Sequence, residues 1–182
     1  MKNFTILVLL ILATTPVLAQ FQLGGGLSYG VKASRPGATL KGLGTLSDQW
    51  KLSPGFTYYT NKSDINRGES LPFEDVNRLY SLDMDFHYQI SLRHSRRITA
   101  YTITGVNFSF AVFNVEQVNA LNQTSIRTET FNEVGINLGL GANYQLTKTS
   151  NLYYEAKIVS FSDAGQAVVN IGFVSTIGRG EE

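Results

Sequence analysis

The sequence predicts an all-β fold: an eight-stranded antiparallel up-and-down transmembrane β-barrel, preceded by a cleaved signal peptide. Three observations predict it. The chain begins with an export signal, eight segments alternate between apolar and other residues, and the connections are short at one end and longer at the other. The 182 residues include 17 glycines and 12% aromatic residues, which favours many strands joined by tight turns. This length fits one domain.

The N-terminal segment has the three parts of a secretory signal peptide. Its first three residues include the positively charged Lys2, residues 4–12 are almost entirely apolar, and Ala19 offers a small residue before the cut. A membrane-anchoring helix needs about 20 apolar residues, and this run is much shorter. We therefore expect a signal peptide at residues 1–19 and a barrel domain at residues 20–182.

Period-two alternation begins directly after this segment. It is clearest in residues 21–32, 80–92 and 134–146. Successive side chains of a strand point to opposite faces, so each segment has one apolar face and one polar or glycine-rich face. A helix would instead repeat its apolar positions every three or four residues.

Five further segments are less regular strand candidates, at residues 40–46, 50–58, 98–113, 152–158 and 169–173. In the first, Leu43 falls on the wrong face. In the second we expect a bulge at Pro54, because proline lacks the amide donor that a ladder needs. In the third the pattern slips near Gly105, where we expect another bulge.

The connections between these segments alternate in length. Residues 47–49, 93–97 and 148–150 form short turns, whereas residues 61–77 and 116–130 are long and polar. Two connections on the side of the long loops, at residues 34–37 and 162–165, are of modest length. Short turns at one end and longer loops at the other are typical of an outer-membrane barrel.

The composition of the two faces favours a membrane barrel. Glycine weakens a strand unless space is tight, and the interior of an eight-stranded barrel is only just wide enough for side chains. Small residues dominate one face of two strands: Gly24, Gly26, Ser28, Gly30, Gly135, Asn137, Gly139, Gly141 and Asn143. The apolar face carries no charge on the three clearest strands, where a charge at mid-depth would cost about 2–4 kcal/mol.

Aromatic residues support this interpretation, because they fall near strand ends, where membrane barrels carry aromatic girdles. They are Tyr29, Trp50, Tyr58, Tyr80 and Tyr144. The alternative is a soluble periplasmic barrel with the faces inverted, which would bind an apolar ligand inside.

The sequence resembles the small outer-membrane barrels of the OmpA-transmembrane-domain, OmpX and opacity-protein type, within the porin-like barrel families. The resemblance rests on residues 21–30, on residues 152–157 and on the last strand, where Ser175 and Ile177 replace the family's aromatics. It implies a location in the Gram-negative outer membrane. It also implies contact with outer-membrane lipids, and assembly by machinery that reads the last strand.

Several ionisable residues fall on the inward face: Asp83, Asp85, His87, Glu155 and Lys157, joined by Lys32 and Lys41. Ionisable groups at membrane depth are costly unless they are paired. We therefore expect a polar network that fills the lumen and plugs the barrel.

Catalysis, cofactors and metals are not predicted. Residues two apart on a strand are about 7 Å apart, whereas metal ligands converge within about 2–2.5 Å of the ion; Asp83, Asp85 and His87 are therefore a poor metal site. His94-Ser95 invites comparison with lipid-modifying barrel enzymes, but Arg96 stands where their serine should be. A net charge of +1 gives no sign of a nucleic-acid partner.

The sequence thus predicts an outer-membrane barrel with a structural or surface-interaction role, working through the loops at residues 61–77 and 116–130. A narrow channel past Lys157, Glu155 and Asp85 is the first alternative. The soluble ligand-binding barrel is the second.

Overall fold

The structure, a computed structural model, describes residues 21–32, 34–60, 76–91, 95, 97–118, 124–161 and 165–177. The expected signal peptide at residues 1–19 and most of the expected loop at residues 61–77 lie outside the described residues. Among the described residues, none belongs to a helix long and apolar enough to cross a bilayer.

Eight antiparallel strands form a closed barrel in which each strand pairs with its sequence neighbours. Their bounds are β1 Phe21–Gly30, β2 Arg35–Thr45, β3 Trp50–Tyr59, β4 Val76–Ser91, β5 Ile98–Val118, β6 Thr124–Gln145, β7 Ser150–Ser160 and β8 Gly165–Ile177. β1 closes the barrel against β8, with Phe21 opposite Ile177. The predicted strand number, order and closure are confirmed.

The apolar face of the strands points outward. Leu138 and Leu140 of β6 have exposed fractions of 59% and 63%, whereas Asn137, directly before Leu138, is fully buried. In β4, Leu82 and Phe86 are likewise exposed. The glycines and polar residues of the alternating pattern therefore lie inside the barrel, and the aliphatic side chains lie outside it.

No bulge forms at Pro54. Lys41 pairs with Gly55 and Gly44 pairs with Leu52, so the β2–β3 register is the same on both sides of the proline. The Ser53 hydroxyl donates a hydrogen bond to the Gly42 carbonyl at 3.1 Å. This side chain supplies the donor that the proline lacks, so the expected bulge is wrong.

The expected bulge at Gly105 is also wrong. Asp85 pairs with Gly105, and the β4–β5 register shifts only between Val76 and Arg78. A Cβ at position 105 would collide with Asp85, including its Cα at 2.7 Å. The glycine therefore makes room for the Asp85 side chain inside the barrel.

Apolar side chains inside the lumen explain the irregular patterns. Leu43, Tyr101 and Ile103 have exposed fractions of 3%, 1% and 2%. They occupy the inward positions of β2 and β5, while Thr104 faces outward. Alternation is therefore regular in both strands, although hydrophobicity along them is not.

The connections differ between the two ends of the barrel. Tight turns follow β2 and β6, where the Leu46 and Leu146 amides donate to the Trp50 and Ser150 carbonyls at 2.9 and 3.0 Å. At the other end, β5 and β6 remain paired as far as Val118 opposite Thr124. The expected loop at residues 116–130 is therefore mostly strand, since its threonine, valine and isoleucine residues favour strands and it contains no glycine or proline.

Candidate functional site

The lumen of the barrel holds a cluster of buried ionisable side chains. β4 contributes Asp83, Asp85 and His87 on one face, and β7 contributes Glu155 and Lys157, because residues two apart share a face. The structure places all five inside the barrel. Lys41 of β2 joins them with an exposed fraction of 7%. Lys32 does not, because β1 ends at Gly30 and Lys32 is exposed in the following turn.

The first half of this lumen network is centred on Lys157. Its Nζ lies 3.0 Å from Asp83 Oδ1 and 3.1 Å from Asp85 Oδ2. The Asn137 amide donates to Asp83 Oδ1 at 2.8 Å and to Asp85 Oδ1 at 2.7 Å. Asn107 donates to Asp83 Oδ1 at 2.7 Å. One lysine and two amides thus hold two neighbouring carboxylates together.

The second half is centred on Glu155. Lys41 forms an ion pair with its Oε1, and the Tyr101 hydroxyl donates to the same oxygen at 2.9 Å. Asn170 donates to Oε2 at 3.4 Å. Lys41 Nζ also lies 4.8 Å from the centre of the Tyr153 ring, a cation–π geometry.

The charges of this network nearly balance. Its three carboxylates and two lysines have side-chain exposed fractions of at most 10%. A buried ion pair compensates for lost hydration only if its geometry is good and additional hydrogen bonds are made. Both halves meet this requirement, so the network is compatible with a dry barrel interior.

His87 packs between the two halves. Its ring stacks on Tyr101 with centroids 4.5 Å apart, and its Nε2 lies 3.7 Å from Glu155 Oε1. Neither ring nitrogen has a hydrogen-bond partner among the described residues. His87 therefore fills space in the lumen and adds only a weak contact to Glu155.

Glycines give the large lumen side chains their room. A Cβ at Gly141 would meet the Tyr101 side chain, with the hydroxyl 2.7 Å away. A Cβ at Gly172 would lie 2.5 Å from the Tyr153 hydroxyl. These two inward glycines therefore leave the space that the side chains of Tyr101 and Tyr153 occupy.

We expect Gly141→Ala to destabilise the barrel by roughly 1–3 kcal/mol, because the added methyl group overpacks the lumen. The measurement is urea unfolding in detergent. Gly165→Ala is the control, since the nearest atom to a Cβ there is the Val159 carbonyl oxygen at 3.7 Å. If the two variants were equally stable, the close packing of Tyr101 on Gly141 would be wrong.

The voids within the lumen are small. One of about 10 Å³ lies among the ion pairs and is lined by Lys41, Asp83, Glu155 and Lys157, among others. Another of about 20 Å³ lies near Tyr59, nearer the long hairpin. A water molecule needs a void of about 10–15 Å³, so each void has room for about one.

The lumen network consists of charged side chains that are paired with one another. Among the described residues, no three histidine, aspartate or glutamate side chains are placed to share a metal ion. His94 lies outside the described residues, and the Ser95 hydroxyl accepts a hydrogen bond from the Ile98 amide at 3.2 Å. The network is chemically suited to hold the strands together across the lumen.

Sequence reasoning missed the neutral members of this network. Tyr101, Asn107, Asn137 and Asn170 are buried partners of the carboxylates. Their inward positions follow from alternation, which was the available signal. Their choice of partner depends on cross-strand register, and a single strand pattern does not contain it.

Aromatic side chains of β3 and β4 form two short bands on the outer surface. Trp50 and Tyr88 pair near the short turns, with ring centroids 5.1 Å apart. Tyr58 and Tyr80 pair at the opposite end of the barrel, on the side of the β5–β6 connection, with ring centroids 5.3 Å apart. On β3 and on β4 the two bands are eight residues apart, which corresponds to roughly 20 Å along the axis of a barrel with tilted strands.

Comparison with known proteins agrees with this architecture. The model of the outer membrane protein beta-barrel domain family matches residues 5–175. No curated protein sequence matches the chain. Solved structures match its fold at low identity, and likeness at this level concerns the fold alone.

Three of these structures illustrate the match. A major outer membrane protein from Thermus thermophilus has a TM-score of 0.62 at 11% identity, covering 87% of this chain and 98% of that one. The N-terminal β-barrel domain of Pseudomonas aeruginosa OprF has a TM-score of 0.59 at 14%, covering 87% and 97%. Neisserial surface protein A has 0.57 at 12%, covering 87% and 95%. With a family match over most of its length and a closed eight-stranded barrel, the chain belongs to the outer membrane protein beta-barrel domain family.

Proposed function

We propose that this protein is an integral outer-membrane barrel with a plugged lumen, which serves a structural or surface-interaction role. The observation that carries the proposal is that the barrel wall is apolar on its outer surface and charged on its inner surface. Leu138 is 59% exposed on the outside, and the ion pairs of Lys157 and Glu155 are buried inside. This division suits a barrel that has hydrocarbon around it.

The two aromatic bands support this placement. Membrane barrels carry an apolar band about 25 Å tall between aromatic girdles, and the bands around Trp50 and Tyr58 have a comparable spacing. A soluble barrel that binds an apolar ligand is a poor fit, because the interior holds the charged network. Outer-membrane lipids are therefore the surroundings that we infer for the wall.

We infer that the chain reaches this membrane through a cleaved signal peptide at residues 1–19 and the barrel-assembly machinery. The protein should fractionate with outer membranes, and unheated samples should migrate differently from heated ones in detergent gels. Mass spectrometry of the mature protein should find Gln20 at its N-terminus. Recovery as a periplasmic monomer would contradict the membrane placement.

The lumen network argues against a narrow channel. Purified protein in planar lipid bilayers should give no stable conductance, because the side chains of Lys41, Glu155 and Lys157 meet across the lumen and leave voids of about one water each. Recording single insertions in concentrated KCl tests this. A steady open level in most insertions would favour the channel instead.

We infer that the protein interacts with partners through the end of the barrel where the β5–β6 hairpin extends, because recognition usually lies on connections that a rigid scaffold holds. This end includes the paired tips of β5 and β6 and the connection at residues 61–75. Limited proteolysis of intact cells should cut there and spare the short turn at residues 146–149.

A further inference from the structure

The end of the lumen beside the short turns is lined by amide and hydroxyl side chains, and we call it the turn-side mouth. Its members are the inward residues nearest these turns: Gln22, Thr45, Lys51, Gln89, Thr99, Asn143, Gln145, Asn151 and Thr176. Among these residues Lys51 is the only charged one. The turn-side mouth therefore differs in chemistry from the lumen network, in which carboxylates outnumber lysines.

A layer of buried apolar and aromatic side chains separates this mouth from the lumen network. The layer lies two residues further along the strands, at the next inward positions. Its members are Leu43, His87, Tyr101, Tyr153 and Val174. Asp85 and Glu155 lie a further two residues along β4 and β7, where Lys157 and Lys41 already pair with them. The carboxylates of the network are therefore behind this layer and engaged elsewhere.

Three neighbouring side chains on one wall of the mouth have N–H groups without an acceptor. Lys51 of β3 faces inward, because Trp50 beside it faces outward, and it lies opposite His87 of β4 in the register. Gln89 is the next inward residue of β4. In the part of the chain that the structure describes, Lys51 has no ion pair or side-chain hydrogen bond. Likewise, Gln89 Nε2 and both ring nitrogens of His87 are buried without a partner. Lysine and amide nitrogens only donate hydrogen bonds, and a neutral imidazole has one donor, so this wall lacks acceptors.

The same end of the barrel carries an excess of positive charge. In the short turns and the turn-side mouth, as far as the structure describes them, the cations are Lys51, Arg97 and Lys148, and the carboxylate is Asp48. Asp48 is exposed in the β2–β3 turn and forms no ion pair with Lys51. Clefts lined by one sign of charge concentrate ligands of the opposite sign. The turn-side mouth therefore favours anions.

We propose that the turn-side mouth binds a carboxylate, held between the Lys51 ammonium and the Gln89 side-chain amide. A carboxylate only accepts hydrogen bonds, and its two oxygens give both donors the acceptors that they lack. Hydrogen bonds in which a partner is charged are about twice as strong as neutral ones. The interior of an eight-stranded barrel is narrow, so the ligand is a small organic acid or the C-terminal carboxylate of a peptide. The site is a property of the fold, whereas the compartment from which the ligand arrives rests on the proposed function.

Binding is tested with the full mature protein in lipid nanodiscs, which leave both ends of the barrel open to solvent. The probe is the dipeptide acetyl-alanyl-alanine with a free carboxylate, and its control is the same dipeptide with an amidated C-terminus. The acid should shift the NMR signal of the Gln89 side-chain amide in a saturable way. The amide should bind at least about tenfold more weakly, since it has lost the charged acceptor. Equal binding of the two dipeptides, or no saturable shift with the acid, would overturn the proposal.

Two variants locate the bound carboxylate. Lys51→Met removes the cation and keeps an unbranched side chain, so it should weaken binding of the acid at least about tenfold. Lys148→Met removes an exposed cation of the β6–β7 turn, outside the lumen, and should bind the acid like the wild type. Unchanged binding by a Lys51→Met protein with the normal heat-dependent mobility would overturn the proposal. If this variant does not fold, the comparison of the acid with the amide decides.

Titrations with acetate and chloride separate the sources of the anion. Tighter binding of the dipeptide than of acetate would assign the mouth to peptide C-termini, and equal binding would assign it to small organic acids; both results support a carboxylate site. Displacement of the acid by chloride at the same concentrations as by acetate would show that any small anion binds, and would overturn the proposal. Because nanodiscs expose both ends of the barrel, these titrations test the site alone. Fractionation of cells tests the membrane placement separately, so the two failures are distinguishable.

Discussion

Lys157→Met should be the most damaging single substitution in the lumen. It leaves Asp83 and Asp85, both about 3 Å from the lysine nitrogen, buried in the lumen without their cation. Breaking a buried ion pair by removing one partner costs about 3–5 kcal/mol. We expect a loss of this size in the free energy of unfolding, measured by urea titration in lipid vesicles, or failure to form the heat-modifiable band.

The control for this substitution is Lys148→Met, at an exposed position in the turn between β6 and β7. Its effect should stay within about 0.5 kcal/mol. Adding Asp85→Asn to Lys157→Met should recover part of the loss, because one of the two uncompensated carboxylates is then neutral. A Lys157→Met barrel as stable as the Lys148→Met barrel would show that the ion pairs do not support the fold.

Leu138→Arg should have the second-largest effect. Leu138 is at the centre of the outward face of β6, between Ile136 and Leu140. An arginine at the midplane of the lipid face of a barrel costs about 2–4 kcal/mol, against about 0–1 kcal/mol near the interfaces. We therefore expect the variant to lose stability in vesicles by that amount, with a smaller yield of inserted protein.

Asn132→Arg is the matched control, because it has the same strand and face but is six residues closer to the hairpin tip. It should insert and unfold like the wild type. Equal penalties at positions 132 and 138 would mean that no apolar band surrounds the barrel. That outcome would favour a soluble protein over the proposed membrane placement.

The strands of this barrel could be predicted from the sequence because alternation is a local signal. Residues 80–92 and 134–146 show it without interruption, and the structure has β4 and β6 there. The signal failed where apolar side chains face the lumen instead of the outside. Tyr101 and Ile103 face the lumen, so their hydrophobicity suggested a slip near Gly105 that does not exist.

The charged members of the lumen network could be predicted from the sequence, but not which of them pair. Alternation places Asp85, Glu155 and Lys157 on inward faces, but pairing depends on which strands meet across the barrel. Lys41 and Glu155 are 114 positions apart, and Asp85 and Lys157 are 72 positions apart. Which of these distant residues meet across the lumen depends on strand tilt and register, and the pattern of one strand does not encode either.

Barrel closure by the last strand has a consequence for biosynthesis. Phe21 is among the first residues of the barrel to be synthesised, yet its partner Ile177 follows only at the far end of the domain. Until β8 has been synthesised, β1 and β7 each lack a neighbour, and unpaired strands promote aggregation. The newly made chain must therefore be protected from aggregation until its last strand is available. A premature stop codon after β7 would cost the cell the whole barrel, whereas a cut in the long hairpin would leave its closure intact.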